Sequence, residues 1–314
     1  MTPDDRKQFL LDALAGLSAD APELPCKYLY DERGSALFEA ICATDEYYVT
    51  RADLALHQAH ADEIVAAIGP EAHFIELGSG AGIKIRTLLQ AAQNPRAYTA
   101  IEISRDALAQ ANAALQQQFP ELEIHGLVAD YTQPIDAEVF QLEPPARRRV
   151  VYFPGSTISN FTHDQAREFL LRMGRMAGPD GRVLIGVDLV KPIERLIRAY
   201  DDAEGVTAAF NLNLLQRLRD DLGARLEIDD FAHEARYNEV EQRIEMHLVA
   251  QRDSVIELGG RRFAFRRGDS IHTENSHKYS IESFTALLDG TGLRAERSWT
   301  DPEGLFSMHD LAVD

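Results

Sequence analysis

The chain has 314 residues, 45% of them hydrophobic and 26% charged, which excludes disordered, collagen-like and coiled-coil classes and leaves room for two domains. Asp and Glu outnumber Lys and Arg by 51 to 32, a net charge of −19, and a field of that sign repels phosphate backbones and anionic lipid; neither nucleic acid nor a membrane is the expected partner. No apolar run reaches about 18 residues, the start lacks the pattern of a secretory leader, and Cys26 and Cys42 are too few for a disulfide framework, so a reducing cytoplasm is expected.

In chain order, the first fifty residues read as loop-rich and aromatic, with Tyr28, Tyr30, Phe38, Tyr47 and Tyr48. Residues 52–68 have the spacing of an amphipathic helix. Short apolar strands then alternate with helices. The strands fall at 73–77, 98–103, 122–129, 148–153 and 182–189, the helices at 83–92, 106–119 and 164–176, with Ser104 or Asp106 as an N-cap. That rhythm predicts a parallel sheet covered on both faces. Residues 191–228 read as helical, with Pro192 at a helix start. Residues 236–249, 254–258 and 262–265 read as antiparallel strands around a Gly259-Gly260 turn. A helix at 281–289 and strands at 294–300 and 305–313 close the chain. The fold class is α/β for one domain, 53–190 plus 281–314; a second, α+β domain is assembled from 1–52 plus 191–280, with a ligand cleft expected between them.

The strongest local signal is Glu76-Leu77-Gly78-Ser79-Gly80-Ala81-Gly82, which follows a strand and opens a helix. Glycines there let a ligand approach the backbone. A dinucleotide fingerprint wants glycine at position 83, where Ile83 stands, so an NAD-dependent dehydrogenase is disfavoured. Glu76 would repel a phosphate and favour an ammonium or sulfonium. Glu102, at the second strand end, is placed to take ribose hydroxyls, and Asp130 with Tyr131, at the third, to meet an adenine. Three acids at successive strand ends behind a glycine turn resemble a Rossmann-like class I S-adenosylmethionine-dependent methyltransferase.

Longer strings carry a closer resemblance over nearly the whole chain: Tyr30-Asp31 with Gly34-Ser35 and Leu37-Phe38, EYYVTR at 46–51, ELGSG at 76–80 with Lys84, PGSTISNF at 154–161 and GVDLVK at 186–191. AYDDAEGVTAAFN at 199–211, RIEMHL at 243–248, TENSHKY at 273–279 and WTDPEG at 299–304 continue it. The chain thus resembles the histidine-specific Nα-methyltransferases of ergothioneine biosynthesis, which convert L-histidine to hercynine. The resemblance implies that Tyr47, Asn160 and Tyr200 hold the amino and carboxylate groups of the substrate, with Asn160 and Tyr47 as the catalytic pair. It implies that Glu274 and Ser276 recognise the imidazole, and that Gly78, Lys84, Glu102, Asp130 and Tyr131 bind S-adenosylmethionine. Tyr30, Phe38, Gly155, Thr157 and Met246 are expected to line the pocket.

The residue chemistry agrees with these roles. An asparagine amide both donates and accepts, tyrosine hydroxyls donate without adding charge, and a carboxylate accepts from a ring N–H while a serine serves the other nitrogen. Ser156 lies in G-S-T rather than a nucleophile elbow, and His272 with His277 lacks ligand spacing, so no metal is expected. The expected partner is a small molecule, L-histidine and its methylated intermediates, bound by a monomer. The alternatives are an Nα-methyltransferase of another amino acid or small amine, and a non-catalytic S-adenosylmethionine-binding regulator.

Overall fold

The structure is a computed structural model that describes residues 3–80 and 82–314; Ala81 of the glycine turn lies outside the described residues. The chain divides into two compact units, one holding residues up to Tyr48 and Lys191–Lys278, the other Val49–Val190 and Tyr279–Asp314.

The start of the chain is helical, contrary to the loop-rich expectation: α1 spans Pro3–Leu17 and α2 Glu32–Ala43. Phe9, Ala13, Gly16 and Leu17 form the buried stripe of α1. Two of these four are small, so the stripe is thin at the level of sequence. Asp31 caps α2 by accepting from the Gly34 N–H at 2.8 Å.

The second unit then follows as α3 (Val49–Ile68), β1 (Ala72–Leu77), α4 (Ile83–Ala91), β2 (Ala97–Glu102), α5 (Arg105–Gln118), β3 (Glu123–Val128), β4 (Arg148–Phe153), α6 (His163–Ala177) and β5 (Arg182–Asp188). Ser104 is the residue that caps α5. Thr162 and Gln165 close a reciprocal capping box on α6, satisfying two backbone donors at once. The chain next returns to the first unit with α7 (Ile193–Ala199), α8 (Val206–Leu222), β6 (Phe231–Asn238), β7 (Arg243–Ala250), β8 (Ser254–Leu258), β9 (Arg261–Phe265) and β10 (Ser270–His277). It ends in the second unit with α9 (Ile281–Leu287), β11 (Leu293–Thr300) and β12 (Phe306–Val313).

The α/β unit carries a seven-stranded sheet in the order β11-β12-β5-β4-β1-β2-β3. The pairs among β1 to β5 are parallel, and β12 joins β5 antiparallel. The order runs one way from β1 to β3 and the other way through β4, so the switch point lies between β1 and β4, where ligands of such sheets bind beyond the carboxyl ends. Every residue of β1 is buried. Ile75, Val151, Phe153, Phe169, Met173, Ile185 and Phe284 share one core cluster, and each such side chain contributes about 1.5–3 kcal/mol by leaving water.

The first unit has a three-stranded antiparallel sheet, β10-β7-β6, and a ribbon, β8-β9. The single strand expected at 236–249 is two strands. Asn238 Oδ1 accepts from the N–H groups of Val240 and Glu241 at 3.1 Å each and turns the chain. Val240 is 89% exposed at that turn. A strand at 270–277, not predicted as such, supplies the other edge.

Candidate active site

In the α/β unit the first three strand ends converge. Gly78 follows β1 with φ +70°, and its N–H donates to the Ile101 carbonyl at 2.9 Å. A Cβ there would stand 3.1 Å from the Tyr131 ring, so both backbone and space require glycine. Glu102 ends β2 and folds back on the turn. Its Oε1 accepts from Ile103 at 2.9 Å and Ser104 at 3.3 Å, and its Oε2 from the Gly80 N–H at 3.3 Å. Past β3, Asp130 Oδ1 accepts from the Thr132 N–H at 2.8 Å and hydroxyl at 2.6 Å. Tyr131 sits edge-on to Phe153 at 5.5 Å, which fixes its ring beside Gly78.

A second group in this unit gathers around Asp53, which was not singled out from sequence. Asp53, fully buried on α3, takes Lys84 Nζ on Oδ2 at 2.7 Å and the Gly155 N–H on the same oxygen at 2.9 Å. Burial works against its charge, but Lys84 and then His57 bring the carboxyl down to about 2. His57 Nδ1–H donates to the Asp53 carbonyl at 2.7 Å, which leaves Nε2 to accept from the Tyr152 hydroxyl at 2.5 Å. One carboxylate therefore ties the first turn of α4 to the loop after β4. Gly155 has φ +79°, and its Cβ position lies 3.0 Å from Lys84 Nζ. Thr157 to Asn160 form a single 3-10 turn that leaves Asn160 half-buried. Glu76 is also buried and accepts from the Tyr98 hydroxyl at 2.6 Å; burial pushes it up to about 8, which Tyr98 and Lys84 only partly offset.

In the first unit an aromatic cage gathers Tyr30, Phe38, Tyr47, Tyr200 and Phe210. Tyr47 meets Tyr200 at 6.0 Å and Phe38 at 6.2 Å, both edge-on, and Tyr30 meets Phe38 at 5.6 Å and Phe210 at 5.4 Å. Burial holds the Tyr47 hydroxyl well above its ordinary pKa, so it stays a donor. Tyr200 and Ser276 are hydrogen-bonded at 2.6 Å. Lys278, which sequence reasoning passed over, is buried and donates to Ser276 at 2.6 Å and Tyr200 at 3.0 Å, with its Nζ 4.7 Å from the Tyr200 ring centroid. Two residues before Ser276 on the same strand, Glu274 is opposite Met246. Glu274 as a residue is only half-buried, yet its Oε2 is shielded from solvent and has no hydrogen-bond partner among the described residues. Burial raises this carboxyl to about 7, with Lys278 opposing. Asp202 does structural work, capping α8 through Val206 at 2.9 Å and Thr207 at 2.7 Å.

A model of the family described as histidine-specific methyltransferase, SAM-dependent, matches residues 9–313. The chain belongs to this family. It is an S-adenosylmethionine-dependent methyltransferase. Relatives include a histidine N-alpha-methyltransferase of Mycolicibacterium smegmatis, 38% identical over 96% of this chain and 94% of the relative. Another, of Mycobacterium tuberculosis, is 35% identical over 95% of this chain and 92% of the relative. Among solved structures, mitomycin 7-O-methyltransferase shares the fold with a TM-score of 0.50 at 17% identity, over 91% of this chain and 59% of that one. Among the described residues, no helix is long and apolar enough to cross a membrane.

Proposed function

We propose that this family member transfers three methyl groups in succession from S-adenosylmethionine to the α-nitrogen of L-histidine, giving hercynine for ergothioneine synthesis. The observation that carries the choice of histidine is the shielded, partnerless Oε2 of Glu274 beside the Ser276–Tyr200–Lys278 network. A buried acceptor without a donor costs about 1–3 kcal/mol, and an imidazole N–H supplies what it lacks. Lys278 donates to Ser276 Oγ, and this leaves the serine proton to serve the second ring nitrogen when Tyr200 also donates to that oxygen. An amino acid whose ring lacks N–H leaves the same groups unpaired, which is how such a site discriminates strongly.

In this reading Gly78, Lys84, Glu102, Asp130 and Tyr131 hold the donor, and Tyr47, Asn160 and Tyr200 hold the amino and carboxylate groups of histidine. Met246, Tyr30, Phe38, Gly155 and Thr157 line the pocket. The nitrogen lone pair attacks the methyl carbon, the carbon–sulfur bond breaks, and its electron pair stays on sulfur. A sulfonium about 4 Å from an ammonium disfavours it by about 4 kcal/mol at an effective dielectric near 20, so the amine loses its proton to water before transfer. Asn160 and Tyr47 orient the remaining N–H bonds, and catalysis is positioning rather than base chemistry. The trimethylated product has no N–H, so its hold on these groups weakens and release follows.

The test is incubation of the purified chain with S-adenosylmethionine and histidine, tyrosine and tryptophan together, read by mass spectrometry. Histidine gaining one to three methyl groups is expected. Methylation confined to tyrosine or tryptophan would replace the substrate, and donor binding without any methylated product would favour the regulator.

A further inference from the structure

The geometry points to a transition-metal site formed by Glu245, His247 and His272 on the first unit's three-stranded sheet. Alternate residues of a strand face opposite sides. On β7, Ile244, Met246 and Leu248 are fully buried on one side, and Glu245 and His247 lie on the other. His272 on β10 is the direct antiparallel partner of His247, and their rings stack at 5.0 Å and 19°. One ligand atom from each of the three residues lies within 4.8 Å of the other two.

The surroundings prepare these groups to bind an ion. His272 Nε2 faces the Glu274 carbonyl at 3.1 Å; a carbonyl only accepts, so the proton is on Nε2 and the lone pair on Nδ1. A ring N–H given to a backbone carbonyl is a common support of metal-bound histidine. Glu245 is oriented in the same manner. Its Oε1 takes Arg243 at 2.7 Å and Asn238 at 2.9 Å, while Oε2 faces His247 Nε2 at 3.2 Å. Two imidazoles and a carboxylate select a borderline divalent cation such as Zn²⁺, Ni²⁺ or Co²⁺ over Mg²⁺ or Ca²⁺. Ligand atoms lie about 2.0–2.2 Å from such an ion, so the three atoms, now within 4.8 Å of one another, have to draw together around it. A bound ion would pin β7 to β10, the strand that carries Glu274 and Ser276.

The full chain, treated with chelator, would be titrated with Zn²⁺ by calorimetry and with Co²⁺ by visible absorption. One equivalent of Zn²⁺, a tetrahedral Co²⁺ band, and a rise in melting temperature with Zn²⁺ are expected. His247→Ala and His272→Ala should each weaken binding by about tenfold or more and abolish the melting shift. Circular dichroism establishes that each variant is folded; should an alanine variant fail that check, His272→Gln, which keeps the bulk, is read by the same criteria. Absence of a saturable equivalent, or folded variants that bind like the parent, would overturn the site.

Discussion

Glu274 combines two opposed demands. Recognition of a ring N–H needs its charge, while burial resists that charge and raises it to about 7. The expected consequence is that affinity for histidine falls as the pH drops below about 7, because the protonated carboxyl presents a donor where an acceptor is needed. The free histidine ring also titrates near 6.5. A Glu274→Gln variant separates the two: the inflection of the ring persists, and that of the carboxyl disappears. The measurement is KM for histidine against pH for both proteins, and identical profiles would remove Glu274 from ring recognition. Glu274 and Ser276 were legible only through the family resemblance that the TENSHKY string at 273–279 carries. Lys278 was not, since a lysine is ordinarily solvent-exposed and nothing in its spacing shows the Nζ folding back to Ser276 and Tyr200. Asp53 was hidden for a similar reason: its partners Lys84 and Gly155 are distant in sequence.

At the scale of elements, the turn from β1 to α4 depends on Gly78. Alanine there must hold φ near +70° at about 1–2 kcal/mol, and its methyl must displace Tyr131, 3.1 Å away. Gly78→Ala should therefore lose roughly that much stability and also weaken S-adenosylmethionine binding, measured by melting and by calorimetry. A loss of stability with unchanged donor affinity would show that the turn supports only the fold. The parallel strands of this sheet were readable because a strand buried on both faces is a short, continuous apolar run, as 183–187 shows. The hairpin between β6 and β7 was not, because its reversal is made by Asn238 rather than by glycine or proline.

Across the whole molecule the acidic balance is joined by a buried acid. Glu76 has its folded pKa raised from 4.5 to about 8. Below 4.5 both states are protonated. Between 4.5 and about 8 the unfolded chain ionises and the folded one does not, so stability falls with rising pH by about 1.4 kcal/mol per unit, and the loss saturates above. Glu76→Gln should flatten that part of the stability–pH curve of the donor-free protein, followed by urea denaturation; unchanged slopes would refute the assignment. A positively charged donor favours the ionised form, so its binding should release a proton in the same window.

The place where the chain leaves and re-enters the α/β unit has a practical consequence. The Val190 N–H donates to the Tyr279 carbonyl at 2.9 Å, so the exit and the return are side by side. Residues 191–278 thus leave and rejoin the α/β unit at adjacent points, while the compact unit they belong to also takes in the residues up to Tyr48. A few glycines and serines joining position 190 to 279 are long enough to close the α/β unit without this insert, and an exchange of the insert alone would leave Tyr30, Phe38 and Tyr47 of the substrate cage behind.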